Sequence, residues 1–333
     1  MLQIFKPRGL IISLTLFLTL ILLLPTANSA FAASAEEIVP DRYPESLLYD
    51  KPVKVADNVW SAIGQTQYYS YENAGHNNNL SFVIGDNAVL VVNGSASYLL
   101  AKALHDEIKQ LTDKPVKYVV DENGQSHASL GNNYWKEQGA TLIAHVDAAD
   151  EIESHGPAGL SNLQPILKER AKGTKIVPID QTFDANLTLD LGGISAELIH
   201  FGEAHSPGDI SVYIPQRNVI IAGDIAFHVR LLPIFPDTDT AAWLETWNST
   251  FSEFAKDKII VPGHGGPTDF ATVDEWTRGY LEYIRGKVAI LIEEGGTLAD
   301  AYQIDQSPYA HLDTFEELAS KNAGRVFEAM EFE

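Results

Sequence analysis

Apolar runs of strand length recur along this chain from about residue 53 onward. They are Leu80 to Ile84, Ala88 to Val92, Val116 to Val120, Thr141 to Ala144, Lys175 to Ile179, Ile194 to Ile199, Ile210 to Ile214, Asn218 to Ala222 and Lys258 to Val261. Several are continuous rather than alternating, which is the pattern of strands buried on both faces. Between them, Ser97 to Leu111 sets Leu100, Leu104, Ile108 and Leu111 at helical spacing with Lys and Glu elsewhere. Asn132 to Gln138, Ala241 to Phe254 and Val273 to Glu294 read as further helices. Residues 145 to 174 mix Gly, Pro, Ser and both charges, and read as a loop with one short helix. Helices interleaved with strands in both halves predict an α/β fold of four layers: helix, sheet, sheet, helix.

The chain opens with Lys6 and Arg8, an apolar run from Leu10 to Leu24, then Pro25 and Ala30-Phe31-Ala32. That is the form of a secretory signal peptide over residues 1–32. Its apolar run falls short of the ~20 residues of a spanning helix. Cleavage after Ala32 would send the protein to the periplasm or the medium, with no membrane attachment remaining. Residues 33–52, punctuated by Pro40, Pro44 and Pro52, read as an N-terminal arm, and 53–333 as the domain proper with C-terminal helices.

The formal charge is -22, and loss of the leader removes basic residues only. Nucleic acid and anionic membrane surfaces, which are bound through Lys and Arg, are therefore excluded as partners, and a small-molecule substrate is expected instead. There is no cysteine. Disulfides, thiolate nucleophiles and Cys-held zinc are all excluded, so a metal would have to be held by His, Asp, Glu or amide oxygen.

Five strand-like runs end in polar clusters: at Asn93-Gly94, at Asp121 onward, at His200 through His205, at Asp224, and at Pro262-Gly263-His264. Ligands gathered at strand carboxyl ends are how open α/β sheets build sites. With Gly202-Glu-Ala-His205-Ser-Pro-Gly208, Ala222-Gly-Asp224, Pro262-Gly-His264-Gly and Leu130-Gly-Asn132 in this order, the chain resembles the metallo-β-lactamase superfamily over roughly residues 55 to 290. The resemblance implies a four-layer αββα sandwich. In that family a strand ends in Asp, a second ends in His-x-His-x-Asp-His, and three later turns supply His, Asp and His, together holding two metals.

The later turns match, and the early motifs depart. Asn93 stands in place of the first Asp; Asn123 and Gln125 take the places of the first two histidines; His127 stands where the family has Asp, and Ala128 where it has the last His. A carboxamide oxygen is a weaker donor to zinc than imidazole or carboxylate. The expectation is one metal rather than two, with zinc the default ion and iron the alternative, held by His127, Asp224 and His264 with His205 on the side of the other position. His127 and Asp224 are the expected catalytic residues, orienting a metal-activated water. Asn123, Gln125, His76 and His228 are expected to line the substrate pocket. The function read from this is an exported metal-dependent hydrolase of a small ester, thioester, lactone or amide. A non-catalytic periplasmic binding protein and a mononuclear iron oxygenase stand as the alternatives.

Overall fold

Alternate residues of a strand face opposite ways, and in this protein both directions are apolar. Val89 and Val91 pack with one buried cluster while Leu90 and Val92 pack with another. Each sheet is thereby covered twice, and four layers follow. The computed structural model describes residues 46–333; the expected leader and most of the arm lie outside them. The first sheet has seven strands in chain order: β1 (Val53–Ala56), β2 (Val59–Ala62), β3 (Leu80–Ile84), β4 (Val89–Val92), β5 (Val116–Val120), β6 (Thr141–His145) and β7 (Gln181–Phe183). Its first four strands pair antiparallel and β4 through β7 pair parallel. The second sheet runs β12-β11-β10-β9-β8, made of β8 (Asn186–Asp190), β9 (Ser195–Ile199), β10 (Ser211–Ile214), β11 (Val219–Phe227) and β12 (Ile259–His264). Only its β11–β12 pair is parallel.

Between the sheets lies one apolar layer, with Leu90, Val92, Val120 and Ile143 facing Leu198, Val212, Ile221 and Val261. Outside the first sheet pack α1 (Tyr98–Leu111), α2 (Ser126–Ser129), α3 (Asn132–Glu137) and α4 (Val146–Leu167). Ser97 caps α1 by accepting from the Leu100 N–H, and Leu100, Leu104 and Ile108 form its buried stripe. Outside the second sheet lie α5 (Thr240–Thr246), a π-helical turn (Trp247–Phe251) and α6 (Ser252–Ala255). They are followed by α7 (Phe270–Val273), a second π-helical turn (Asp274–Arg278), α8 (Gly279–Glu293), α9 (Leu298–Ala301) and α10 (Phe315–Met330). Trp243, Trp247, Phe251 and Tyr280 fill that outer core. Among the described residues no helix is long and apolar enough to cross a membrane.

Two expectations are corrected. The loop expected over 145–174 is largely a 22-residue helix, α4, containing Pro157 and Pro165. Its buried face, Ala148, Ile152, Gly156, Leu163 and Leu167, keeps helical spacing but is written partly in small residues, so tertiary packing overrides the prolines. The run Lys175 to Ile179 is not a strand; the pairing with β6 is made a few residues later, by Gln181–Phe183.

Candidate metal centre

Parallel pairing sets the carboxyl ends of β4 and β5 side by side, and the second sheet does the same for β11 and β12. The connection after β5 carries His127 in α2, β11 carries Asp224, and β12 ends on His264. One donor atom from each of these three buried residues lies within 4.8 Å of the others. His127 Nε2 is 3.4 Å from Asp224 Oδ2, and His264 Nε2 is 3.4 Å from Asp224 Oδ1. Zinc–ligand bonds of about 2.0–2.1 Å in a tetrahedron put neighbouring donors roughly 3.3 Å apart, so these separations suit a single ion. The Nδ1 of His264 donates to the Asn77 carbonyl at 2.5 Å, which leaves Nε2 with its lone pair toward Asp224. His127 Nε2 and Asp224 Oδ1 are buried without a hydrogen-bond partner. Orphaned buried polar atoms of this kind are costly unless something else satisfies them. A cation fits this donor set.

The electrostatics point the same way. Burial pushes the Asp224 carboxylate up, but His264, His127 and His205 around it pull harder and hold it well below the usual carboxylate range. Burial pushes His264 down to about 4, helped by the nearby Arg230 guanidinium. It is a neutral imidazole at pH 7. For His127 burial acts downward as well, yet the Asp224 and Glu122 carboxylates outweigh it and raise the group, so a proton and a cation would compete for one lone pair.

Behind the cluster stands Glu122, which sequence reasoning missed. Its Oε2 accepts the Asp224 backbone N–H at 2.6 Å, and its Oε1 accepts from Asn93 Nδ2 at 2.9 Å. Asn93 Oδ1 in turn accepts the Glu122 N–H at 3.1 Å. The residue at the family's first-Asp position is thus paired with a carboxylate two residues past the end of β5. Gly223, at φ +69, makes this possible: a Cβ there would lie 1.5 Å from Glu122 Oε2. Arg230 was missed too. It is a buried cation with Nη1 3.3 Å from His264 Nδ1 and its guanidinium over the Tyr68 ring. An acidic residue after a strand and an arginine in a loop carry no mark in a single sequence, since both are usually solvated.

The other expected residues divide. His205, expected among the metal ligands, stands outside the three-residue group. Its Nδ1 is 3.8 Å from Asp224 Oδ2 and accepts from Gln125 Nε2 at 3.0 Å, while Nε2 is buried with no partner. Phe227, Phe235 and Trp243 surround the ring. Asn123 presents its Nδ2 to Asp224 Oδ2 at 3.5 Å and uses Oδ1 to accept the Gln125 N–H at 3.0 Å, so its oxygen serves its own turn. His76 is fully buried: Nδ1 accepts the Tyr49 N–H at 2.8 Å and Nε2 meets the Ala62 carbonyl at 3.3 Å. A ring with both nitrogens engaged inside the core is a structural tie, not the substrate contact expected of a rim loop. His228 lies apart from the three-residue group, packed on Trp276 and joined through Nδ1 to the Gly266 carbonyl.

The family model of the metallo-beta-lactamase superfamily matches residues 77–264, a span containing His127, His205, Asp224 and His264. The chain is 22% identical over 225 residues to a type 2 metallo-beta-lactamase of Bacteroides fragilis, covering 67% of this chain and 86% of that one. It is 25% identical over 178 residues to the probable metallo-hydrolase YqgX of Bacillus subtilis, covering 46% and 82% respectively. Among solved structures it is similar to a metallo-beta-lactamase from Pontibacter korlensis, with a TM-score of 0.56, 19% identity, and coverage of 69% of this chain and 98% of that one. It is also similar to TMB-1, with a TM-score of 0.55, 17% identity, and coverage of 70% and 96%. At these identities the two structures share the fold.

Proposed function

The chain belongs to the metallo-beta-lactamase superfamily, a family of metal-dependent hydrolases, and we propose that it is an exported member hydrolysing a small ester, thioester, lactone or amide with one bound ion. The observation that carries this reading is the buried, partly orphaned group of His127, Asp224 and His264. Those three residues would hold the ion, zinc by default, with iron as the alternative that two histidines and a carboxylate also suit. When bound, the ion supplies Lewis acidity and a water acidified toward neutral pH. The chain's own residues do the rest. Asp224 and His127 orient the attacking water. Glu122 fixes the backbone at Asp224, and the Asn77 carbonyl fixes the His264 tautomer. The Arg230 guanidinium offsets the local negative charge, and the Phe227 and Trp243 rings keep bulk water from the inner wall.

Export rests on the leader-like residues 1–32 alone. The hydrogen bond between Gln125 and His205 favours one ion over two, because it engages the Gln125 amide and His205 Nδ1 and leaves His205 Nε2 as the one free imidazole donor described on the side of the second position. Elemental analysis of the purified mature protein, paired with hydrolysis of p-nitrophenyl acetate before and after chelation, tests the proposal. About one equivalent of metal and chelator-sensitive turnover are expected. Two tightly held equivalents would overturn the mononuclear reading, and one equivalent without turnover on any ester, lactone or amide would favour the binding-protein alternative.

A further inference from the structure

Beside the cluster opens a cavity of about 390 Å³ whose inner wall is formed by Tyr69, Gln125 and His205. It lies on the side where the two early amides replace the family's histidines. Its outer wall is aromatic and acidic: Phe235 on one side, with Glu151 from α4 and Asp237 from the loop after β11. No Lys or Arg is among the lining residues, and the two imidazoles there are His155 and His205. The Glu151 carboxylate sits against Gly124, where a Cβ would come within 2.6 Å of Oε2; the glycine is what lets the carboxylate reach the cavity floor. Asp237 is close enough that its charge acts on Glu151. His155 and His127 act on Glu151 in the opposite sense, but with no Lys or Arg in the lining the two like charges facing one half-apolar hollow favour a cation there, and a low-dielectric wall focuses that potential rather than dissipating it. Independently of the acids, His205 contributes a nine-tenths-buried ring whose Nε2 has no partner while Nδ1 is engaged by Gln125.

We propose that this cavity is the recognition subsite for a cationic organic substrate, whose ammonium group lies between Glu151 and Asp237 and whose apolar body packs on Tyr69 and Phe235. The idea rests on the hydrolytic reading of the neighbouring cluster and adds to it a substrate class: amine-bearing acyl compounds in preference to anionic ones. The replacement of the early histidines by amides is then a change of use. An amide and an imidazole hydrogen-bonded to each other form a neutral polar wall beside the site of reaction, and the His205 Nε2 left over can serve a polar atom of the bound molecule.

The test uses binding and needs no turnover. Titration calorimetry of the whole mature protein, with and without its metal, is run with 2-phenylethylammonium, 2-phenylethanol and 3-phenylpropanoate. The ammonium is expected to bind about ten-fold tighter than the alcohol, and the carboxylate weaker than both. Glu151→Gln and Asp237→Asn are each expected to weaken the ammonium about five-fold, the scale of a partly exposed ion pair, and to leave the alcohol unchanged. Glu153→Gln, an exposed change on the same helix away from the cavity, is the control and leaves all three unchanged. Affinity for the ammonium no greater than for the alcohol, or unmoved by both cavity substitutions, overturns the proposal. A protein that hydrolyses neutral esters yet fails this test keeps the hydrolytic reading and loses this one.

Discussion

The two halves of the site share the connection after β5 and have met different fates. On one side His127, Asp224 and His264 turn donor atoms toward a shared point, with two of those atoms left without partners. On the other, the Asn123 and Gln125 amides are engaged, with each other, with His205 Nδ1 and with Asp224, and His205 Nε2 alone is left over. A ligand site is recognised by what it leaves unsatisfied. The contrast teaches that replacing imidazole by carboxamide weakens a donor and also supplies a group that its neighbours can satisfy.

The contrast breaks most sharply at the donors themselves. Asp224→Ala or His264→Ala is expected to lower metal affinity by more than about 100-fold, exceeding the usual cost of losing an outer-sphere partner; competition with a chromogenic chelator measures it. Running the contrast backward, Asn123→His with Gln125→His gives the second half three imidazoles and is expected to raise bound zinc from one equivalent toward two. Unchanged stoichiometry in a folded variant would mean that backbone geometry, rather than donor chemistry, is what the second half lacks.

Smaller effects sharpen the contrast. The loop whose Asn77 carbonyl fixes His264 is anchored by the neighbouring His76, which burial pushes down to about 4 from its ordinary 6.5. Its folded form stays neutral while the unfolded chain takes up a proton. Its contribution is therefore complete above pH 6.5 and is lost as pH falls toward 4, by about 3 kcal/mol in all. Denaturant melts of the protein and of His76→Asn across that window should show a flatter profile in the variant. Glu122→Ala strands the Asp224 N–H and the Asn93 amide, and is expected to cost about 2 kcal/mol of stability on the scale of unmade buried hydrogen bonds. Asn123→Ala should change metal affinity by no more than about two-fold, since its oxygen caps its own turn. A loss as large as that of His264→Ala would make Asn123 a ligand and dissolve the distinction between the halves.

Much of this was legible in the sequence, for physical reasons that differ by element. Strand β11 is buried at every position, so its apolar run could belong only to the interior. The stripe of α1 alternates with charge and announces a surface helix. Helix α4 was obscured because Gly156 and Ala148 do in its buried face what Leu and Ile do elsewhere, and because its prolines are ordinarily breakers. At the site, His127, Asp224 and His264 follow glycine-marked or apolar punctuation that a reader can find. Glu122 was hidden because its role depends on Gly223 and Asn93, residues 101 and 29 positions away, and only the folded chain brings them together.

The three donors belong to different layers: His127 follows a strand of the first sheet, whereas Asp224 and His264 lie in the second. No segment of the nascent chain holds the complete set until the two sheets have docked, so an ion gains its full grip only on the finished fold. An interaction made only in the finished fold does not hasten folding, because it is absent from the barrier that folding must cross. It slows the parting of the layers afterward. Persistence rather than speed of folding is what that arrangement provides.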